Sequence, residues 1–364
     1  MRIAHAFLAA SLPLTLALAQ PALAESTKTL HLEMDPGSGF AVENLAGTMT
    51  IGPGNGSKVA ATATVHAEDD SLMDSVRFEQ VRGKNGRPTM RVVYPVGEHS
   101  TFRYTGGGSD GGSFLGRLFG GNSSTSTTYD GERVKVSSNR GVLLYADVEV
   151  RLPSGGVDGF FRNVMGKVLA RDVEGTLSFD SGSGDIAIEN VSGMISADTG
   201  SGEVKAERIN GSFKGDTGSG DIHVVDFHGE AINCDTGSGD VRIESARARL
   251  IEADTGSGDI RVEDSETREF EADTGSGDVY LETEGSLLEN VSADTGSGDV
   301  VLVLGPDASF EARGDIGSGD IISHYSDAEA IVHRREVIGY RRGDARTRIR
   351  VDTGSGDFVI KPGR

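Results

Sequence analysis

Aspartates in Gly-Ser strings are the residues of this chain whose type and spacing most suggest chemistry. The string Asp-Thr-Gly-Ser begins at Asp198, Asp216, Asp235, Asp254, Asp273, Asp294 and Asp352. Such a string can supply one aspartate of an acid-protease dyad, but the dyad needs two aspartates that face each other and share a proton. Seven copies at a regular spacing instead indicate a structural corner, so we do not expect proteolysis.

Calcium binding is a more serious alternative for these corners. Each copy holds two acids five positions apart around Gly-Ser-Gly, and oxygen-rich turns are the ligands that Ca²⁺ prefers. The candidate ligands are Asp254, Asp259, Asp273, Asp278, Asp294 and Asp299. The period and glycine placement differ from the nonapeptide of calcium-binding β-rolls. We therefore favour carboxylates that accept hydrogen bonds from turn N–H groups, as in Asx-turns, and expect no other cofactor.

The remaining reactive side chains do not form a catalytic set. His223 and His228, with Asp226 between them, are the only close histidines, and they lack a third ligand for zinc. Cys234 is the single cysteine, which excludes an intramolecular disulfide. It occupies a position filled by Ala or Gly in other repeats, so we expect a small buried side chain. No nucleophile elbow, P-loop or zincin string occurs, and we expect no enzyme.

An internal repeat explains the corners. The string Gly-Ser-Gly-Asp/Glu recurs with its acid at Asp185, Glu203, Asp221, Asp240, Asp259, Asp278, Asp299, Asp320 and Asp357. The spacings are 18, 18, 19, 19, 19, 21, 21 and finally 37 residues. After each acid, apolar residues alternate with polar ones, which is typical of a strand with one buried face. One unit cannot bury that face alone, whereas stacked units can.

The fold class predicted from this repeat is all-β. We expect a β-solenoid over residues 157–364, with about 18–21 residues per rung, as a right-handed β-helix. The alternative architecture is a long twisted meander of the same strands. Glycine takes φ > 0 without steric cost and would allow the chain to reverse at each corner. The turn glycines are Gly256, Gly258, Gly275, Gly277, Gly296 and Gly298.

Two segments interrupt the regular pattern. Residues 25–156 have strand patterns without a repeat, and residues 105–131 within them form a Gly/Ser/Thr-rich stretch that we interpret as a loop. Residues 325–350 form an Arg-rich insertion in the solenoid. This insertion either lies across acidic rungs or caps the end of the solenoid. The alternative is an anion-binding patch for a polysaccharide or a lipid headgroup.

The N-terminus predicts export. Residues 1–24 have a short polar start, an apolar run and an Ala-Leu-Ala cleavage site, which together indicate a signal peptide. We expect the mature protein in the periplasm, at the cell surface or outside the cell, with no transmembrane anchor after cleavage. The formal net charge of −21 disfavours nucleic acid and anionic lipid as general partners.

The tandem Asp-Thr-Gly-Ser-Gly-Asp-[Val/Ile]-x-[Val/Ile] units, clearest from Leu177 to Leu304, resemble a bacterial exported β-strand-repeat family labelled "putative adhesin", a domain of unknown function. The resemblance implies an exported β-solenoid and supplies no catalytic residues. We expect a non-enzymatic adhesin or surface interaction protein that contacts a polysaccharide or a protein through its faces and loops. The alternatives are a periplasmic scaffold or signalling accessory protein, and a polysaccharide-active enzyme on a β-helix.

Overall fold

A computed structural model describes residues 26–83, 86–106, 124–284 and 286–363. The predicted signal peptide and most of the predicted 105–131 loop lie outside these residues. Within the described ranges, no helix is long and apolar enough to cross a membrane.

The N-terminal region contains ten strands and one short helix. They are β1 (Ser26–Met34), β2 (Phe40–Ala46), β3 (Met49–Pro53), β4 (Val59–Ala67), α1 (Asp70–Ser75), β5 (Arg77–Arg82), β6 (Pro88–Val93), β7 (Thr101–Arg103), β8 (Ser124–Tyr129), β9 (Glu132–Ser137) and β10 (Val142–Leu152). Strand β8 occupies the last part of the predicted loop and forms an antiparallel hairpin with β9.

The repeat region consists of strands only. They are β11 (Val157–Met165), β12 (Val168–Arg171), β13 (Glu174–Ser183), β14 (Ile186–Thr199), β15 (Val204–Thr217), β16 (Ile222–Thr236), β17 (Val241–Thr255), β18 (Ile260–Glu263), β19 (Glu269–Thr274), β20 (Val279–Thr283), β21 (Asn290–Thr295), β22 (Val300–Leu304), β23 (Phe310–Ile316), β24 (Ile321–Ser323), β25 (Glu329–His333), β26 (Glu336–Arg342), β27 (Thr347–Thr353) and β28 (Phe358–Pro362).

Successive repeats pair in parallel to build one open, many-stranded sheet, so the all-β class is confirmed. Ile186 pairs with Val204, and Val204 pairs with Ile222. Parallel pairing excludes the meander for these strands, because consecutive meander strands run antiparallel. The alternating apolar residues point inward and are almost fully buried, as at Ile186 and Ile188. Burial of each such side chain contributes about 1.5–3 kcal/mol.

A buried threonine connects each turn to its neighbour. The hydroxyl of Thr217 donates to the carbonyl of Gly202 at 3.0 Å and accepts the N–H of Gly220 at 3.1 Å. The hydroxyl thus closes its own turn and hydrogen-bonds to the adjacent one. The residues at this position, each about 1% exposed, are Thr199, Thr217, Thr236, Thr255, Thr274, Thr295 and Thr353.

Glycine is required in these turns for a different reason from the one that the sequence suggested. Gly256, Gly258 and their equivalents in the next two turns do not have φ in the left-handed region between +20° and +160°, whereas Gly319 and Gly356, which occupy the position of Gly258 in two later turns, have φ values of 148° and 158°. A Cβ at Gly258 would instead lie 2.0 Å from the carbonyl oxygen of Gly239, and one at Gly256 would lie 2.4 Å from that of Gly237. Close stacking of adjacent turns, and not a left-handed backbone, is therefore what excludes a side chain at Gly256 and Gly258.

Left-handed backbone occurs at the opposite corner, mostly at residues with short polar side chains. Asn190 has φ 55°, and its amide donates to Asp172, the equivalent residue one repeat earlier, at 2.5 Å. Asn and Asp tolerate this conformation better than most side chains. The residues at this corner are Asp172, Asn190, Arg208, Asp226, Ser245 and Asp264.

The N-terminal region contributes strands to the same sheet. Strand β2 pairs in parallel with β11 on one side and β6 on the other. Asn44 on β2 donates to the side-chain oxygen of Asn163 on β11 at 3.1 Å, and it accepts from the hydroxyl of Tyr94 at 2.9 Å. All three side chains are buried. The hydrogen bonds therefore fix β2 against the repeat region.

The last repeat is not at the end of the stack. Strand β27 pairs with β21 on one side and with β23 on the other. Strand β28 lies in the same way between β22 and β24. After β22 the chain thus leaves the adjacent rung position empty and forms β23 and β24 one rung further on. It then forms the β25–β26 hairpin and returns as β27 and β28, which fill the empty position. Strand β26 pairs antiparallel with β23, so residues 339–342 of the predicted Arg-rich insertion cover this edge. Residues 347–350 of the same predicted insertion belong instead to β27, inside the sheet.

Candidate functional site

An open groove of about 1210 Å³ lies on the outer face of the sheet, where the N-terminal region meets the repeats. We call it the outer groove. Its floor is formed by β11 and β13 to β16, and its walls by residues 82–83 and 87–91 and by the turn 128–131 between β8 and β9. Because strands cross it at successive repeats, its floor presents equivalent outward positions side by side.

The floor combines hydroxyl, amide and apolar groups. Phe160, Ser178, Ser196, Lys214 and Asn233 are register partners on five neighbouring strands. Phe160 is half-buried, and Lys214 is exposed. This row can offer an aromatic face, several hydrogen-bonding groups and one cation to an elongated ligand.

A second row runs beside the first. Thr176, Met194, Ser212 and Ala231 are register partners. Met194 is 61% exposed, which makes it the most exposed large apolar side chain among the described residues. The groove therefore has both polar and apolar contact surface.

Ion pairs hold the wall of the groove in place. Arg91 donates to Glu43 at 2.7 Å and to Asp130 at 2.9 Å, and its side chain is only 14% exposed. Burial alone would lower the pKa of Arg91, but the two carboxylates outweigh it and raise the pKa. The neighbouring Tyr129 donates to the carbonyl of Val92 at 2.7 Å, and burial raises its pKa well above the usual range. The turn 128–131 is thus anchored to β2 and β6.

The groove carries more cations than carboxylates. Its five cations are Arg82, Arg87, Arg91, Arg162 and Lys214, and its three acids are Glu43, Asp130 and Asp158. Arg87 lies 3.4 Å from Asp158, and Arg162 lies 3.8 Å from Asp180, a carboxylate just outside the groove. Lys214 acts electrostatically on Asp198, which also lies outside the groove. Within the described ranges, neither Arg82 nor Lys214 has a carboxylate at ion-pair distance. In a chain of net charge −21, this local excess of positive charge favours an anionic ligand.

A row of stacked carboxylates begins beside the groove. Arg91, Glu43, Arg162 and Asp180 are successive register partners, so charges alternate at this end. The row continues through Asp198, Asp216, Asp235, Asp254, Asp273, Asp294, Asp352 and Asp315. Desolvation and then neighbouring aspartates raise the pKa of Asp254 and of Asp294. We call these nine aspartates, from Asp180 to Asp315, the aspartate column.

The predicted calcium candidates divide between two rows. Asp254, Asp273 and Asp294 belong to the aspartate column. Asp259, Asp278 and Asp299 lie in the turns, where each accepts the backbone N–H of the next turn acid at 2.8–2.9 Å. These hydrogen bonds join adjacent rungs, whereas the Asx-turn that the sequence suggested would have its hydrogen bond within a single turn. Across the described residues, no group of three or more ligating side chains is placed to hold a metal ion.

The other sequence candidates do not converge. His223 lies 3.2 Å from Glu244, and His228 lies 3.6 Å from Asp226 at the following corner. Cys234 is 1% exposed, and burial raises the pKa of its thiol, so its prediction as a small buried side chain is confirmed. The groove residues from the N-terminal region were missed, because nothing in its irregular strand pattern indicated which of them would meet the repeats.

Comparison with known proteins shows one family. A family model described as Toastrack DUF4097 matches residues 134–361. No curated protein matches.

Two solved structures are similar to this chain over most of its length. A putative cell adhesion protein from Clostridium sporogenes ATCC 15579 is 9% identical, with 93% of this chain and 100% of that chain covered, at a TM-score of 0.22. A putative lipid binding protein from Parabacteroides distasonis ATCC 8503 is 14% identical, with 93% and 97% covered, at a TM-score of 0.41.

Proposed function

We propose, from the premise that this chain belongs to the Toastrack DUF4097 family, that it is a non-catalytic binding protein that holds an acidic polysaccharide in the outer groove. The observation that carries the proposal is the excess of cations in that groove, in a chain whose net charge is −21. Part of the proposal is a right-handed solenoid with about 18–21 residues per rung, which would present equivalent side chains at even intervals.

The composition of the groove suits a sugar chain. Hydroxyl and amide groups at Ser178, Ser196 and Asn233 can hydrogen-bond to sugar hydroxyls, and the half-buried ring of Phe160 can pack against an apolar sugar face. Lys214 is exposed and can bind a carboxylate or sulfate group of the ligand.

The proposal also places the mature protein outside the cytoplasm. A protein that binds acidic polysaccharide would meet its ligand in the periplasm, at the cell surface or outside the cell. The signal-peptide pattern of residues 1–24 supports such a location. The proposal includes no cofactor and no bond cleavage.

Titration calorimetry of residues 25–364 with polygalacturonate, alginate and a neutral dextran tests the binding. We expect the acidic chains to bind and dextran not to bind. Lys214→Glu should weaken binding about tenfold, the effect of losing one charged hydrogen bond. The matched control is Lys205→Glu, on the same strand but outside the groove, which should bind as the native protein does.

Two results would contradict the proposal. The binding part fails if the native protein binds none of the acidic chains at millimolar concentration, or if Lys214→Glu and Lys205→Glu behave alike. The non-catalytic part fails if reducing ends or unsaturated sugars accumulate during incubation.

A further inference from the structure

The β25–β26 hairpin projects from the end of the sheet. Strand β26 pairs with β23 only from Gly339 to Arg342. Residues 332–337, which we call the hairpin tip, lie beyond this pairing, and each of them is exposed. The tip is therefore free of the sheet and available to a partner.

The turn of the hairpin has an unusual sequence for its conformation. Arg334 and Arg335 form a two-residue turn between the register partners His333 and Glu336, with φ values of 50° and 78°. Two consecutive left-handed residues are typical of a type I′ turn, for which Asn-Gly is strongly preferred. Two arginines are poorly suited to this backbone, which points to a role for their side chains and not for their turn propensity.

Apolar side chains flank the two arginines. Val332 and Val337 lie opposite each other on the two strands and are 59% and 41% exposed. They are two of the four exposed large hydrophobic residues that the described part of the chain contains. Their position directly beside the turn places apolar surface and two arginines on the same protruding tip, against one carboxylate, at Glu336.

The charge of this region is opposite to that of the whole chain. Residues 325–350 contain seven Arg against four acids, whereas the chain carries −21. Arg342 is paired with Asp327 at 2.7 Å. Among the described residues, no carboxylate lies at ion-pair distance from Arg334 or Arg335. The two arginines of the tip thus remain available although the protein is rich in acids.

We infer that the hairpin tip docks the end of this protein onto a membrane surface that contains anionic lipids. Val332 and Val337 would enter the interfacial layer, and Arg334 and Arg335 would contact lipid phosphates. A polysaccharide would satisfy the arginines but would offer nothing to the exposed valines, whereas a membrane interface accepts both. Repulsion between the acidic body and the membrane would leave only the tip in contact, so the protein would bind end-on.

Sedimentation of residues 25–364 with phosphatidylcholine vesicles, with and without about one-third phosphatidylglycerol, tests the inference. The protein should sediment only with the anionic vesicles, and about 0.5 M NaCl should release it by screening the charges. Val332→Ser/Val337→Ser should weaken partitioning about tenfold. Arg334→Asn/Arg335→Gly should weaken it about 25-fold, at about fivefold for each arginine.

The arginine variant separates docking from folding. It places Asn-Gly at the turn, so it should raise the melting temperature while it weakens vesicle binding. The matched control is Arg247→Ser/Leu287→Ser, which removes an exposed arginine and an exposed large apolar side chain elsewhere and should sediment as the native protein does. Both tip variants should retain polysaccharide binding, so this inference and the proposed function can fail separately.

The inference is overturned if the native protein stays in solution with anionic vesicles at low salt, or binds phosphatidylcholine vesicles equally well. It is also overturned if both tip variants sediment like the control, or if the tip variants lose polysaccharide binding and the native protein binds no vesicle.

Discussion

Asp254 on β17 and Asp273 on β19 are register partners, and both side chains lie on the outer surface of the sheet. Strands in a sheet are separated by about 4.8 Å, so neighbouring carboxylates of the aspartate column repel each other. On the strands that follow the Gly-Ser-Gly turns, glutamates such as Glu263 are paired with arginines instead. A hydrogen bond from Arg261 lowers the pKa of Glu263, for example. The contributions of these two sets of carboxylates to the free energy of unfolding therefore change with pH in opposite directions.

Asp254→Asn should stabilise the protein at pH 7. Burial and then the neighbouring Asp273 and Asp235 raise the pKa of Asp254 above its usual 3.8. A raised folded pKa means that the stability is present below the unfolded value and is lost as the pH rises through the folded pKa. The neutral amide removes the repulsion, so the free energy of unfolding should increase by about 0.2–1 kcal/mol in urea titrations at pH 7.

The same variant should show no advantage at pH 3, where the aspartate is largely protonated. Asp35→Asn is the control, because Asp35 is exposed and lies outside the aspartate column. A destabilised Asp254→Asn at pH 7, or an equal gain in Asp35→Asn, would refute the idea that the column is repulsive.

Thr236→Val should destabilise the protein by about 1–3 kcal/mol, since it leaves buried polar groups without a partner. The Thr236 hydroxyl donates to the carbonyl of Gly220 at 2.8 Å and accepts the N–H of Gly239 at 3.1 Å. The measurement is urea-induced unfolding followed by circular dichroism. Thr27→Val, at an exposed position on the edge strand β1, is the control. Equal stability of the two variants would refute a role for the hydroxyl.

Gly258→Ala should cost more than the threonine variant. A Cβ at this position would lie 2.0 Å from the carbonyl oxygen of Gly239, so adjacent turns could not keep their spacing. We expect a loss of at least about 3 kcal/mol, in the range of severe core changes. Gly97→Ala is the control, because nothing lies within 4 Å of its added Cβ. A Gly258→Ala protein that melts with the control would contradict the close stacking of the turns.

Removal of residues 343–364 should lower the melting temperature and cause self-association. The deletion takes away β27 and β28 and leaves the unpaired edges of β21 and β23 facing each other across a gap. Such edges pair readily with other chains. Analytical ultracentrifugation and thermal melting provide the measurement, and removal of only residues 363–364 is the control. A monomeric, equally stable truncated protein would show that the remaining rungs close the gap by themselves.

The repeat region could be predicted from its sequence because each structural position recurs. The buried row that includes Thr217 and Thr236, and the turn row that includes Gly239 and Gly258, appear as fixed letters at fixed spacing. The sequence did not show why glycine is required at these positions. The glycines are required by the carbonyls of a neighbouring turn, and that contact joins residues about 19 positions apart.

The outer groove and the order of the last strands could not be predicted in the same way. Arg91 reaches the groove because β6 pairs with β2 and β2 pairs with β11, and no repeat relates these three strands. The 37-residue gap before Asp357 shows the length of an insertion, but not that the chain returns between β21 and β23. Such long-range pairing depends on the strand edges that the hairpin leaves open.

The position of β27 between two other strands also determines how the end of the protein would bear a load. Tension applied to the chain after β28 would act along β28, against its hydrogen bonds to β22 and β24 at once, and would reach β27 and its hydrogen bonds to β21 and β23 only afterwards. Those bonds would have to break together, in shear, and not one after another as at a free edge that is peeled away. An outermost last strand would detach under a much smaller force, so the interleaved order gives this end of the sheet mechanical strength without a disulfide.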